Sequence, residues 1–144
     1  MAAKLATSAM QKILTAYAAT AITMVALDLL WLGLIAKPLY QQGIGHLMAD
    51  QPKLLVALLF YAVFAAGLTW FAVLPGAAPV GWGRALGTAA LFGFFCYATY
   101  DLTNLATLKA WPWRLSLLDV AWGSAVSAVS AAAGKLALDR LAAV

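Results

Sequence analysis

The chain has no glutamate, a single histidine (His46) and a single cysteine (Cys96), and only 10% of its residues are charged. One cysteine excludes an internal disulfide and a cysteine-built metal cluster. Cys96 lies in the apolar run 91–97 and reads as a small packed hydrophobe. One histidine gives a site from His46, Asp50 and a buried acid thin support, because no ligand partner stands at regular spacing. No metal and no cofactor is therefore expected. There is no P-loop, GxGxxG or CxxC, and no serine has a base at supporting spacing. The nine lysines and arginines stand singly, none beside another. They form no basic cluster of the kind that nucleic acid needs, so no nucleic-acid partner is expected.

What the chain has in excess is apolar side chain, 65% of 144 residues. An average soluble domain is roughly 25% charged, and one this small has too little interior to hide so much apolar surface. A lipid bilayer removes that difficulty. Four apolar segments, at about 13–35, 54–74, 85–105 and 115–138, approach or exceed the ~20 residues that span a hydrocarbon core. A helix satisfies its own backbone in lipid, and these segments are too long and too evenly apolar for barrel strands. The expected fold is an all-α integral membrane protein: one domain over 1–144, folded as an antiparallel bundle of four transmembrane helices. The first segment follows Lys4 and Lys12, but its apolar run is too long for a signal core, so it reads as a retained helix.

Lys37-Pro38, Pro52-Lys53, the cluster Pro75, Gly76, Pro79, Gly81 and Gly83, and the run Trp111-Pro112-Trp113-Arg114 punctuate the segments. Residues 40–50 read as a loop. Four crossings put both termini on one side with Lys4, Lys12, Arg84, Lys135 and Arg140, against Lys37, Lys53, Lys109 and Arg114 on the other. The excess of cations favours cytoplasmic termini by a narrow margin, and dual insertion stays open. Gly123, Ser127, Ala131 and Gly134, and the pair Gly83 and Gly87, have the small-residue spacing of close helix contacts. These serve either the chain's own packing or a homodimer.

Three acids interrupt the apolar segments. Asp28, Asp101 and Asp119 each lie on the order of 7–13 Å inside the same membrane edge at 1.5 Å per residue. Intramembrane acids oppose insertion unless they face inward and find partners. Tyr97, Tyr100, Asp101 and Asn104 share a helix face, Thr99, Thr103 and Thr107 form a neighbouring stripe, and Trp31, Trp111, Trp122 and Arg114 lie near the acids. The depths predict one polar cavity lined by the three carboxylates, with Tyr100, Asn104 and Trp122 in its wall. The alternative is polar glue between helices. Asp139, beside Arg140 past the fourth segment, reads as a surface acid whose loss is silent.

The motifs DxxWLG at Asp28, Phe60-Tyr61, the run YATYDLTNLATLKxW from Tyr97 to Trp111, and DxxWG at Asp119 resemble those of a family of small bacterial predicted membrane proteins of unknown function. The resemblance covers roughly 13–130. It implies a multi-pass protein of the bacterial inner membrane and brings no activity with it.

Three functions fit these residues. The first is a pocket that binds or modifies a small amphipathic or lipid-like molecule. In it Asp101, Asp119 and Asp28 are the candidate catalytic acids, and Tyr97, Tyr100, Asn104, Trp31, Trp122, Trp111 and Arg114 the candidate ligand contacts. The second is a small dimeric transporter whose acids carry protons, and the third an accessory subunit of a larger membrane complex.

Overall fold

A computed structural model describes residues 2–77 and 81–143, with side chains placed from residue 9 onward. Pro79 and the side chain of Lys4 lie outside the described residues. All regular structure among the described residues is helical. Helix α1 (Ala2–Leu30) continues through a π-helical turn, Trp31–Ile35, and is followed by a short α2 (Lys37–Ile44) and a 3₁₀ turn, Gly45–Leu47. Helix α3 (Leu54–Leu68) also ends in a π-helical turn, Thr69–Val73; α4 (Trp82–Thr107) and α5 (Trp113–Ala142) complete the chain. Among the described residues, three stretches are long and apolar enough to cross a membrane: Ala9–Ile35, Leu54–Val73 and Trp113–Ala142, with mean hydropathies of 2.0, 2.2 and 1.4. Helix α4 has the length, 26 residues, but carries Arg84, Asp101 and Asn104.

Helix α5 is the centre of the fold. Its buried residues include Leu115, Asp119, Gly123, Ser127, Ser130, Gly134 and Leu138, a stripe at three- and four-residue steps. It packs most extensively on α4 and next on α1. Those helices answer with stripes of their own. On α1 the buried positions are Ala16, Thr20, Met24 and Asp28. On α4 they are Ala85, Ala89, Gly93 and Asp101, with half-buried Tyr97 completing the row. Each acid thus prolongs a row of inward-facing residues spaced by four.

Two crossings require glycine. A Cβ at Gly93 would run into the Gly123 carbonyl and the Ser127 hydroxyl of α5, and one at Gly134 would run into the Thr20 hydroxyl of α1. The small residues of α5 are therefore spent on packing within the chain. Gly83 and Gly87 are different, since a Cβ at either meets nothing within 4 Å. The close contact that their spacing suggested is absent from the packing of the described residues.

Two expectations are corrected here. Residues 40–50 are not simply a loop. Pro38 lacks an N–H and cannot continue α1, yet it is favoured in a helix's first turn. The chain breaks at Ala36, whose N–H still bonds the Trp31 carbonyl at 2.7 Å, and restarts as α2. Asp139 is not a free surface acid beyond the fourth helix. It lies within α5 and pairs through both oxygens, at 3.0 and 2.9 Å, with Lys135, whose side chain is 0% exposed and lies 5.0 Å from the Trp82 ring centre. The reason is the i,i+4 spacing, which puts the two residues on one face.

Helix α3 is the loosely held element. From Leu54 to Val63 it exposes almost every side chain, Leu55 by 83%, and its buried positions begin at Phe64. Its second half is sealed to α4 by aromatic contacts, Phe64 with Phe92 at 5.2 Å and Phe71 with Phe92 at 6.0 Å between ring centres. The first half stands off from α4 and leaves a gap.

Candidate functional site

That gap leads into a cavity of about 480 Å³, within the ~300–1,000 Å³ of small-molecule sites. It lies at the end of the fold where α1 finishes and α5 begins. Its polar wall carries Asp28 of α1, Tyr40 of α2, Tyr61 of α3, Tyr97 and Tyr100 of α4, and Asp119 and Trp122 of α5. The remaining lining is Leu32, Ala57, Phe60, Phe64 and Cys96. Five helices therefore contribute, and the side facing α3 is apolar.

The two carboxylates are held in similar ways. Asp28 is 3% exposed and accepts a hydrogen bond from Trp122 Nε1 at 2.8 Å. The Trp122 ring is fixed in turn by stacking on Trp31, with centres 4.3 Å apart and planes 5° from parallel. Trp31 supports the wall from behind and does not line the cavity. Asp119, also 3% exposed, accepts a hydrogen bond from the Tyr40 hydroxyl. Burial, and next the Asp119 carboxylate, push the Tyr40 phenol above its usual range. It therefore keeps its proton and serves as a donor. Each carboxylate has one oxygen tied to a protein donor, and no described lysine, arginine or histidine lines the cavity to balance them. The one ion pair among the described residues, Lys135–Asp139, lies at the other end of α5.

The third acid stands near Asp119 but does not line the cavity. Asp101 is 0% exposed; Ser116 and Trp111 lie beside its carboxylate, though neither makes a hydrogen bond of normal geometry to it. It is the last member of the α4 row that packs on α5, so α5 covers it. Asn104, half-buried, is likewise off the wall. Trp111 is buried and donates to Ser116 Oγ at 3.0 Å, with its ring edge-on to Tyr100. Arg114 lies against the Trp113 ring, 5.5 Å from its centre, and borders a separate cavity of about 420 Å³ with Gln42 and Pro112. Thr99, Thr103 and Thr107 point outward, each bonded to the carbonyl four residues earlier. His46 stands in the 3₁₀ turn. Among the described residues, no group of three or more His, Cys, Asp or Glu side chains is placed to hold a metal ion.

Of the candidate contacts, Asp28, Asp119, Tyr97, Tyr100 and Trp122 share the cavity; Asp101, Asn104, Trp31, Trp111 and Arg114 do not. Two wall residues escaped a reading by apolar segments. Tyr40 lay in the stretch read as a loop, and its signal is Pro38, which starts a helix two residues earlier. Tyr61 follows Ala57 by one helical turn on α3, and these two are the only half-buried residues of an otherwise exposed stretch, 54–63.

A family model described as "Predicted membrane protein (DUF2177)" matches residues 13–136. No curated protein and no solved structure matches the chain.

Proposed function

The chain belongs to the DUF2177 family of predicted membrane proteins and is membrane-embedded. From that premise, we propose that it crosses the bacterial inner membrane four times as an antiparallel bundle, with cytoplasmic termini, and holds a small amphipathic or lipid-like molecule between α3, α4 and α5. The observation that carries this reading is the cavity itself. It has a polar floor of two carboxylates and a ring of phenols, an apolar side, and lining residues that reach the surface at Leu32, Phe60 and Tyr100. In a bilayer those outward side chains meet acyl chains. A ligand with a polar head and an apolar tail matches both ends, whereas a fully polar solute matches only the floor.

Asp28 and Asp119 orient the head, with Tyr40 and Trp122 fixing the carboxylates. An acid–base role fits Asp119, which lines the cavity and shares one hydrogen bond, better than it fits the covered Asp101. Carriage of protons by the same acids is the second reading. It is favoured by the absence of a countercharge for either carboxylate among the described lining residues.

The test is lipid analysis of protein purified in mild detergent. One amphiphile class should co-purify at near-stoichiometric amount with the native chain and be lost from a variant carrying Ala57→Trp, which fills the gap. Equal recovery of bulk lipid from both would count against the pocket.

A further inference from the structure

Resting on the reading of this cavity as an amphiphile site, we infer that its ligand carries a cationic head, an alkylammonium group, seated between Asp28 and Asp119. The head-group end offers two carboxylates, each 3% exposed, and the ring faces or hydroxyls of Tyr40, Tyr61, Tyr97 and Trp122. It offers no lysine, arginine, histidine, asparagine, glutamine, serine or threonine among its lining residues.

That composition discriminates between head groups. A phosphate, sulfate or carboxylate needs cationic or amide donors and would face two acids instead. A sugar-like head would hydrogen-bond the carboxylates and stack on the rings, but it would leave their charge without a partner. An ammonium meets what is present: carboxylates supply the countercharge, and electron-rich ring faces attract a cation once water is excluded. Two of the lining donors are already committed in the same sense. Trp122 Nε1 and the Tyr40 hydroxyl each give their hydrogen to a carboxylate, which holds the acids in place as acceptors. Two intramembrane acids with no protein countercharge are costly alone, and a bound cation supplies the missing partner. The tail leaves past Ala57, Phe60 and Phe64, the apolar side of the cavity.

The ammonium has two sources, the head of a bilayer lipid such as phosphatidylethanolamine or a free long-chain amine. The full chain is placed in phosphatidylglycerol nanodiscs and titrated calorimetrically with three probes of one chain length: dodecyltrimethylammonium, dodecanol and dodecanoate. Empty-nanodisc heats are subtracted. Dodecyltrimethylammonium should bind saturably and at least about tenfold more tightly than either other probe, the scale expected of a desolvated charge contact. Asp28→Asn and Asp119→Asn should each weaken it by about tenfold or more, with the circular dichroism of each variant in the nanodisc showing the native helix content. Adding phosphatidylethanolamine should compete if the natural head belongs to a lipid and leave binding unaltered if it belongs to a free amine; either result supports the ammonium site. Saturable binding of dodecanol or dodecanoate equal to the cation's would overturn the cationic head while leaving the amphiphile pocket standing. Saturable binding of none of the three would overturn both.

Discussion

At the scale of single residues, the site depends on donors that hold two carboxylates from behind. Tyr40 is the sharper case, because its phenol keeps its proton and Asp119 has no other described donor. Tyr40→Phe removes the hydroxyl and leaves a buried acceptor unpaired. It should lower stability in detergent by about 1–3 kcal/mol, read as a fall in the thermal midpoint, and weaken amphiphile binding in parallel. Asp101 behaves in the opposite way. It is fully covered, with Ser116 and Trp111 beside it but no hydrogen bond of normal geometry, so Asp101→Asn removes a buried charge and keeps a polar group next to them. The midpoint should hold or rise. A fall of the size expected for Tyr40→Phe would mean that Ser116 and Trp111 hold the charged form.

At the scale of helices, packing is set by rows spaced by four, and these rows decide which side chains can change. Gly93 lies where α4 touches the α5 backbone, so Gly93→Ala should destabilise by about 1–3 kcal/mol through overpacking. Gly87, six residues earlier on the same helix, meets open space; Gly87→Ala should be neutral or stabilising by up to about 1 kcal/mol from helix propensity. Parallel unfolding curves of the two variants check the contrast. At the far end of α5, Asp139→Asn should cost about 3 kcal/mol, because it strands the covered Lys135. Adding Lys135→Met to Asp139→Asn should recover most of that loss, since a buried pair replaced by apolar groups is often neutral.

These elements also show how far the sequence could be read. The helices were legible because apolar runs of spanning length, bounded by proline and glycine, leave little choice of structure. The inward turn of Asp28 and Asp119 was legible too, from the cost of facing lipid. The absence of Asp101 from the lining was not. Depth along a helix is readable from residue count, but the face that the neighbouring helix covers depends on where two helices cross. That crossing is fixed by Gly93 against Gly123, a tertiary contact with no local signature. Tyr40 was hidden for a related reason. The restart of the chain after Pro38 is local, whereas the reach of α2 to Asp119 spans 79 positions.

At the scale of the whole molecule, the proposed four crossings make a simple accessibility prediction. With Cys96 replaced by serine, single cysteines at Gln42 and Lys109 should react with an impermeant reagent from one side of the membrane. Those at Ala77 and Arg140 should react from the other. Labelling of Gln42 and Ala77 from the same side would leave α3 uncrossed and break the bundle. The small-residue pair Gly83 and Gly87 is outward and unused, and every closely packed glycine of α5 is engaged within the chain.

The central claim is that an amphiphile enters between α3 and α4 and places its head at Asp28 and Asp119. Photo-crosslinking tests it most directly, with a long-chain amine carrying a diazirine next to the amino group and peptide mapping of the adducts. The account predicts adducts concentrated at Tyr61, Tyr97 and Tyr100, abolished by excess unlabelled amine and reduced in Asp119→Asn. Adducts spread over the outward side chains Ile22, Leu29 and Leu55, and unaffected by competitor, would contradict it.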